Sequence, residues 1–305
     1  MLDAGELYEL APTLPTLDRP VLLQALDGFI DAGGGVRLAR EQLLTSLEHD
    51  LVATFDVDQL YDYRARRPAM LFVENRWESY DAPALALHHM RDGAGTSFLL
   101  LSGPEPDVQW ERFVAAVRQL VERFEVSATI GLNAIPMAVP HTRPIGLTAH
   151  ATKPELVAGH EPWISSVQVP ASVGHVLEYR LGQAGHAALG FAVHVPHYLA
   201  QAEYPDVAEA LLDTVARASG LVLPTASLRA AAQETRAAVD EQVGGSPEVL
   251  AVVRGLEEQY DAVVRGRGPA SLLAEDRPLP TADELGAELE RFLAHETRRQ
   301  RPTGD

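Results

Sequence analysis

Leu26-Asp27-Gly28-Phe29-Ile30-Asp31-Ala32-Gly33-Gly34-Gly35 is the stretch on which the fold turns. An apolar run, Val21 to Leu26, precedes it and reads as a buried strand. An amphipathic segment from Val36 to Leu47 follows and reads as a helix. The turn between them holds Gly28, Gly33, Gly34 and Gly35 with two carboxylates, Asp27 and Asp31. Strand-to-helix punctuation of this kind builds the crossover units of an α/β core. Glycines at a helix start also let backbone N–H groups approach an anion, here at Gly28, Gly33 and Gly34. The spacing is neither the dinucleotide fingerprint nor a Walker loop. Asp27 and Asp31 would repel a phosphate unless a cation intervened. Two readings stand: an anion site, or a tight connection whose glycines serve backbone geometry.

Outward from this turn, strands and helices alternate. A helix is expected over residues 34–50. Candidate strands are Leu51–Phe55, Ala69–Glu74, Leu85–Met90, Ser97–Leu101 and Ala128–Ile135. Trp110–Phe124 is a helix with Trp110, Phe113, Val117, Leu120 and Val121 on one face. Residues 136–171, rich in Pro, His, Thr and Ser, read as short strands and loops. A helix near Ser172–Leu181 follows. Ala187–Val195 is a near-continuous apolar run, the pattern of a strand covered on both faces. Pro205-Asp206 opens a helix that Gly220 stops. Val21–Leu26, Ser97–Leu101, Ala128–Ile135 and Ala187–Val195 are expected to be central strands of one sheet. After Pro224 the pattern is helical. Ser246-Pro247 is a cap followed by proline at the first helical position, leading a stripe of Val249, Val253, Leu256, Tyr260 and Val263. Gly266 to Pro280 reads as a linker, Thr281 to Glu284 as a capping box, and Arg298 to Asp305 as a frayed tail. The expected organisation is an α/β core domain over residues 1–224 and a helical C-terminal extension over 225–305.

Composition narrows the function classes. The chain has 305 residues, 46% of them hydrophobic, and no cysteine. The absence of cysteine removes disulfides, thiolate zinc sites and Cys nucleophiles. A net charge of −18 repels phosphate backbones and anionic membrane surfaces, so neither nucleic acid nor membrane is an expected partner. The start, Met1-Leu2-Asp3-Ala4-Gly5-Glu6, carries acid where a signal peptide needs base, and no apolar run approaches the roughly 18 residues of a spanning helix. A cytoplasmic protein is expected.

Four segments carry chemistry-bearing residues where strands end. The first is the turn 27–35. The second is Ser102-Gly103-Pro104-Glu105-Pro106-Asp107, where Ser102 and Glu105 are either polar site groups or parts of a proline-locked loop. In the third, Arg143 within His141-Thr142-Arg143-Pro144 either clamps an anion or pairs with one of the many acids. The fourth holds His194 and His197 around Val195-Pro196. A strand would point these two imidazoles to opposite faces, and Pro196 breaks a helix that would align them, so a metal is not expected. His88-His89 is weaker still. No G-x-S-x-G elbow is present. Open α/β sheets bind ligands at the carboxyl ends of their strands, so the four segments are expected to share a neighbourhood, with Arg143 as its anion contact.

Asp27-Gly28-Phe29-Ile30-Asp31-Ala32-Gly33, Ser102-Gly103-Pro104-Glu105-Pro106, and Gly131 through Pro144 together resemble the proteasome assembly chaperone 2 family. His194-Val195-Pro196-His197-Tyr198-Leu199 with Tyr204-Pro205 fits it too. The chain is similar to that family's actinobacterial-type branch, over roughly residues 20–225 and into the helical tail. The resemblance implies a three-layer phosphorylase/hydrolase-like α/β core with a mainly parallel or mixed sheet. It also implies oligomers and protein partners such as proteasome components; together with the apolar segments Leu147–Trp163 and Val249–Val264 it leads to the expectation of a closed homo-oligomer, a trimer, and no cofactor is expected. Archaeal relatives dock through a C-terminal hydrophobic–Tyr–any-residue tail. This chain ends Thr303-Gly304-Asp305, so docking by that tail is not expected. The leading expectation is a non-enzymatic binding or assembly protein. The alternative is a phosphorylase- or hydrolase-type enzyme acting on a small substrate at the strand carboxyl ends.

Overall fold

Buried runs become strands here because helices cover both faces of the sheet. In a computed structural model describing residues 2–162 and 166–266, the elements are β1 (Tyr8–Leu10), β2 (Val21–Asp27), α1 (Gly35–Ser46), β3 (His49–Phe55), β4 (Met70–Val73), β5 (Arg76–Tyr80), β6 (Ala86–Arg91), β7 (Ser97–Pro104), α2 (Trp110–Arg123), β8 (Ala128–Met137), β9 (Leu147–Ala151), α3 (Val173–Gln183), β10 (Ala188–Pro196), α4 (Pro205–Ser219), α5 (Ala226–Gly244) and α6 (Pro247–Gly266). Eight strands form one mixed sheet in the order β1-β3-β6-β7-β2-β8-β10-β9, while β4 and β5 form a separate hairpin. The four strands expected at the centre, β7, β2, β8 and β10, are neighbours, and all three of their pairings are parallel. The flanking pairs are antiparallel.

Adjacent residues on the central strands feed opposite cores. Leu23, Leu100, Ile130 and Phe191 pack with Val36, Ala39 and Leu43 of α1 and Val207, Leu211 and Val215 of α4. Leu22, Leu99 and Leu101 pack with Phe113, Val117 and Leu120 of α2 and Val173, Leu177 and Leu181 of α3. This double cover explains why Leu22 through Leu26 and all nine residues of β10 are buried without alternation. Beyond the sheet, α5 packs on α4 and buries Leu228 and Ala232, and α6 packs on α5 and buries Val253.

Three sequence expectations change. The helix expected over 34–50 ends at Ser46, because His49 and Asp50 pair with Met90 and His89 of β6. The strand expected to end at Leu101 runs to Pro104, because Ser102, Gly103 and Pro104 register against Ala25, Leu26 and Asp27. The strand near Ala69–Glu74 exists as β4 but stands outside the main sheet, paired only with β5. The linker from Gly266, the capping box at Thr281 and the tail from Arg298 lie outside the described residues.

Candidate functional site

The carboxyl end of the parallel strands is where the turn after β2, the end of β7 and the start of α3 meet. Gly33 and Gly34 take left-handed backbone, φ 68° and 62°, which swings the chain from β2 into α1. The turn is then locked. The Gly33 N–H donates to the Ala200 carbonyl at 2.8 Å, and the Tyr204 N–H donates to the Gly33 carbonyl at 2.9 Å. A Cβ on Gly35 would sit 2.3 Å from Val207 Cγ1, so this glycine sets how closely α1 approaches α4.

The N-terminus of α1 already has its anion. Val36 and Arg37 N–H groups donate to the two Asp31 carboxylate oxygens at 2.8 and 3.0 Å. Burial pushes the Asp31 carboxyl above its ordinary pKa, and those two N–H groups oppose the rise. The same device recurs at α3. The Val173 N–H donates to Glu105 Oε1 at 2.5 Å, beside Ser172 Oγ, which accepts from the His175 N–H at 3.2 Å. Burial raises the Glu105 pKa too, against the N–H groups of Val173 and Phe29. Glu105 also donates its backbone N–H to the Asp27 carbonyl at 3.1 Å, and Gly28 lies against its carboxylate. Asp27 pairs with Arg40 at 2.5 Å. Two helix N-termini at this end of the sheet are thus each filled by a carboxylate from a neighbouring loop.

The remaining candidates sit elsewhere. Ser102 is buried within β7. His194 is buried within β10, with Nε2 2.8 Å from Thr148 Oγ1, and burial lowers its pKa to about 4, so the ring is neutral near pH 7. His197 is exposed on a 3-10 turn, its ring edge-on to Tyr198. Arg143 is gripped by α6: Nε and Nη2 donate to the two Asp261 oxygens at 2.8 Å each, and Nη1 to Glu257 at 3.2 Å. The Asp261 and Glu257 carboxylates hold its pKa above the ordinary guanidinium value. His141 bridges Tyr198 at 2.6 Å and Asp240 of α5 at 3.1 Å, and the Tyr260 hydroxyl donates to the Pro144 carbonyl at 3.2 Å. Segment 141–144 therefore ties α5 and α6 to the sheet.

The structure brings Asp27, Gly28, Asp31, Gly33, Gly34 and Glu105 together and leaves Arg143 apart from them. A cleft of about 740 Å³ takes Asp27 and Ser102 with Leu51, Tyr61 and His88. Another, of about 610 Å³, takes His141, Arg143, Tyr204, Asp206, Arg236 and Asp240. The turn at Asp27 and the end of β7 line the first cleft and segment 141–144 the second, while His194 and His197 line neither. Of the two readings of Arg143, the acid pairing is the one realised. Among the described residues, no group of three or more His, Cys, Asp or Glu side chains is arranged to hold a metal ion, and no helix is long and apolar enough to cross a membrane. Sequence reasoning gave β4 but missed its partner β5, whose Trp77 and Tyr80 were the available signal, and the α6 acids that grip Arg143.

An eight-stranded mixed sheet with a helix pair on each face and C-terminal helices docked beside it defines the structural class, a three-layer α/β protein. The chain belongs to the PAC2 family, whose model matches residues 25–243. It is similar to Rv2714, a Mycobacterium tuberculosis protein of unknown function, at 51% identity over 86% of this chain and 90% of that one, TM-score 0.83. A Corynebacterium glutamicum protein of unknown function matches at 39% identity over 86% of this chain and 100% of that one, TM-score 0.81. The proteasome-assembly chaperone homologue Rv2125 of M. tuberculosis matches at 25% identity over 76% of this chain and 99% of that one, TM-score 0.69. No curated protein matches the chain.

Proposed function

We propose that this chain is a non-enzymatic binding protein that assists the assembly of a larger protein complex, with proteasome subunits as its clients. The observation that carries this reading is the double use of carboxylates at the sheet's carboxyl end. Acid–base catalysis at this end of the sheet would call on Asp31 or Glu105, and anion binding on Arg143. Asp31 and Glu105 instead cap α1 and α3, and Arg143 is held by Asp261 and Glu257. Groups committed in this way stiffen a scaffold. Membership of the PAC2 family and similarity to a proteasome-assembly chaperone homologue point the same way.

The test mixes the full-length chain with separately purified proteasome α- and β-type subunits of its own source organism. Native mass spectrometry and the rate of particle assembly are the readouts. The expected result is a defined complex with unassembled subunits at ~10 μM and faster particle formation, a range typical of transient assembly contacts. No complex and an unchanged assembly rate would remove the proteasome as client. Turnover of a small substrate abolished by Glu105→Gln would favour the enzyme instead.

A further inference from the structure

Two polar side chains of the sheet lack partners, and they line the same cleft. Ser102 is only 5% exposed, and its hydroxyl has no hydrogen-bond partner among the described residues. His88 has Nδ1 buried and unpartnered. Both line the cleft of about 740 Å³ that opens beyond α1 over the outer strands β3 and β6. Buried polar atoms are almost always hydrogen-bonded, so two such atoms in one cleft call for a partner from outside the chain.

Strand register aligns these groups. Ser102 stands opposite Ala25 on one side and Ala86 on the other, while Asp27 is opposite Pro104 and His88 opposite Leu100. With a side-chain period of two, Asp27, Ser102 and His88 share the α1 face of the sheet. Asp27 and His88 are then the two diagonal neighbours of Ser102, each about 8 Å away between Cα atoms. Asp27 Oδ1 accepts from Arg40 Nη1 at 2.5 Å, and its other oxygen has no partner among the described residues. Burial lowers the His88 pKa, with His49 adding to the effect, so the ring is neutral near pH 7. In the tautomer protonated at Nε2, its Nδ1 is an acceptor. The cleft is preformed: at Gly103, φ 128°, a Cβ would strike the Ala84 carbonyl, so this glycine fixes the wall built from the segment before β6.

We propose that this cleft binds a short aliphatic diamine, with one ammonium between Asp27 and Ser102 and the second nitrogen at His88. The three aligned groups all accept hydrogen bonds, which calls for a ligand rich in N–H donors. The lining charges are Asp27, Glu41 and Asp81 against Arg40 alone, and Arg40 is already paired with Asp27, so an anion meets no free cation there. A dication matches that surplus of two acids. Ala86, Leu44 and Leu51 line the cleft as well and suit the methylenes between the nitrogens. The diagonal spacing fits a linker of about four or five carbons. This inference stands independently of the proteasome reading.

The experiment is isothermal titration calorimetry of the full chain at about 0.15 M salt, with putrescine, cadaverine, butylamine and succinate as probes. One of the two diamines should saturate a single site per chain with Kd below about 1 mM. Butylamine should bind at least about tenfold more weakly, and succinate should give no binding heat. Ser102→Ala removes only the hydroxyl and should weaken the diamine at least about tenfold at an unchanged melting temperature. Asp27→Asn and His88→Phe should each do the same. Glu125→Gln removes an exposed acid that does not line the cleft, and should leave the affinity unchanged. That variant separates the site from the general attraction of a chain of net charge −18 for cations. The wild-type preference for a diamine over butylamine is read without any variant, so it decides the question even where a variant fails to fold. No saturable site would overturn the proposal. So would equal affinity for butylamine, diamine binding that survives Ser102→Ala, or a loss in Glu125→Gln as large as in Asp27→Asn.

Discussion

The turn after β2 and the hairpin β4–β5 are both conspicuous in sequence, and the structure treats them oppositely. In the turn, Asp31 accepts two N–H groups, Gly33 bonds both ways across to residues 200 and 204, and Gly35 touches Val207. In the hairpin, six large apolar side chains face solvent. The first region has internal partners for its chemistry; the second does not. Residues that look chemical in sequence can be consumed by the fold, while plain hydrophobic residues left uncovered carry the unsatisfied free energy that a partner would relieve. The comparison moves attention from the carboxylates and arginine at the strand ends to the sheet's outer edge.

Four measurements would break or sharpen this contrast, and acid should produce the largest effect. His194, buried inside β10 and as far from solvent as the turn's partners, has its pKa lowered to about 4 by burial, against 6.5 for the unfolded chain. The unfolded state therefore binds more protons between those values, so stability is full above pH 6.5 and falls as pH drops toward 4. The loss attributable to this one ring is on the order of 3 kcal/mol. Urea melts of wild type and His194→Gln from pH 7 to pH 4 should show a flatter slope for the variant; equal slopes would remove the effect.

Next comes packing. Gly35→Ala places a methyl 2.3 Å from Val207 Cγ1 and should cost about 1–3 kcal/mol, read as a lower urea midpoint. Wild-type stability would show that α1 and α4 have slack at this crossing. A smaller effect is expected from Asp31→Ala, which leaves the Val36 and Arg37 N–H groups without their acceptor and should cost about 1–2 kcal/mol. If Asp31→Ala were neutral while a small anion bound more tightly to it, the turn would be a ligand site held shut by its own aspartate.

The smallest effect on stability belongs to the hairpin. Trp77→Ala should shift the chain's unfolding midpoint by less than about 0.5 kcal/mol under dilute conditions, because the side chain is 63% exposed. The comparison would be broken by a loss of several kcal/mol, which would make the hairpin part of the monomer's own core.

Much of the architecture was legible without coordinates. Val21–Leu26 and Ala187–Val195 read as strands because helices on both faces leave no polar positions to interrupt them. Trp110–Phe124 read as a helix because one face alone is apolar, and Ser246-Pro247 announced α6 through its cap. Less was legible where long-range pairing overrode local pattern. The helix over 34–50 stopped early because β3 needed residues 49 and 50 for pairing with β6. The run at Ala69–Glu74 is a strand, but nothing local says that its partner is β5 alone.

By itself the sequence determined the α/β class, the four central strands, the helical character from Ala226 as far as Gly266 and a net charge of −18. All of these follow from periodicity, composition and turn chemistry within a short window. Only the tertiary structure decided that Asp31 and Glu105 face helix N-termini, that Arg143 meets Asp261 across 118 positions, and that the hairpin stands clear of the sheet. Those outcomes depend on which distant backbone donors and acids arrive beside a side chain. That is set by packing the whole chain, because a charge settles on whichever complementary group the fold delivers within hydrogen-bond reach.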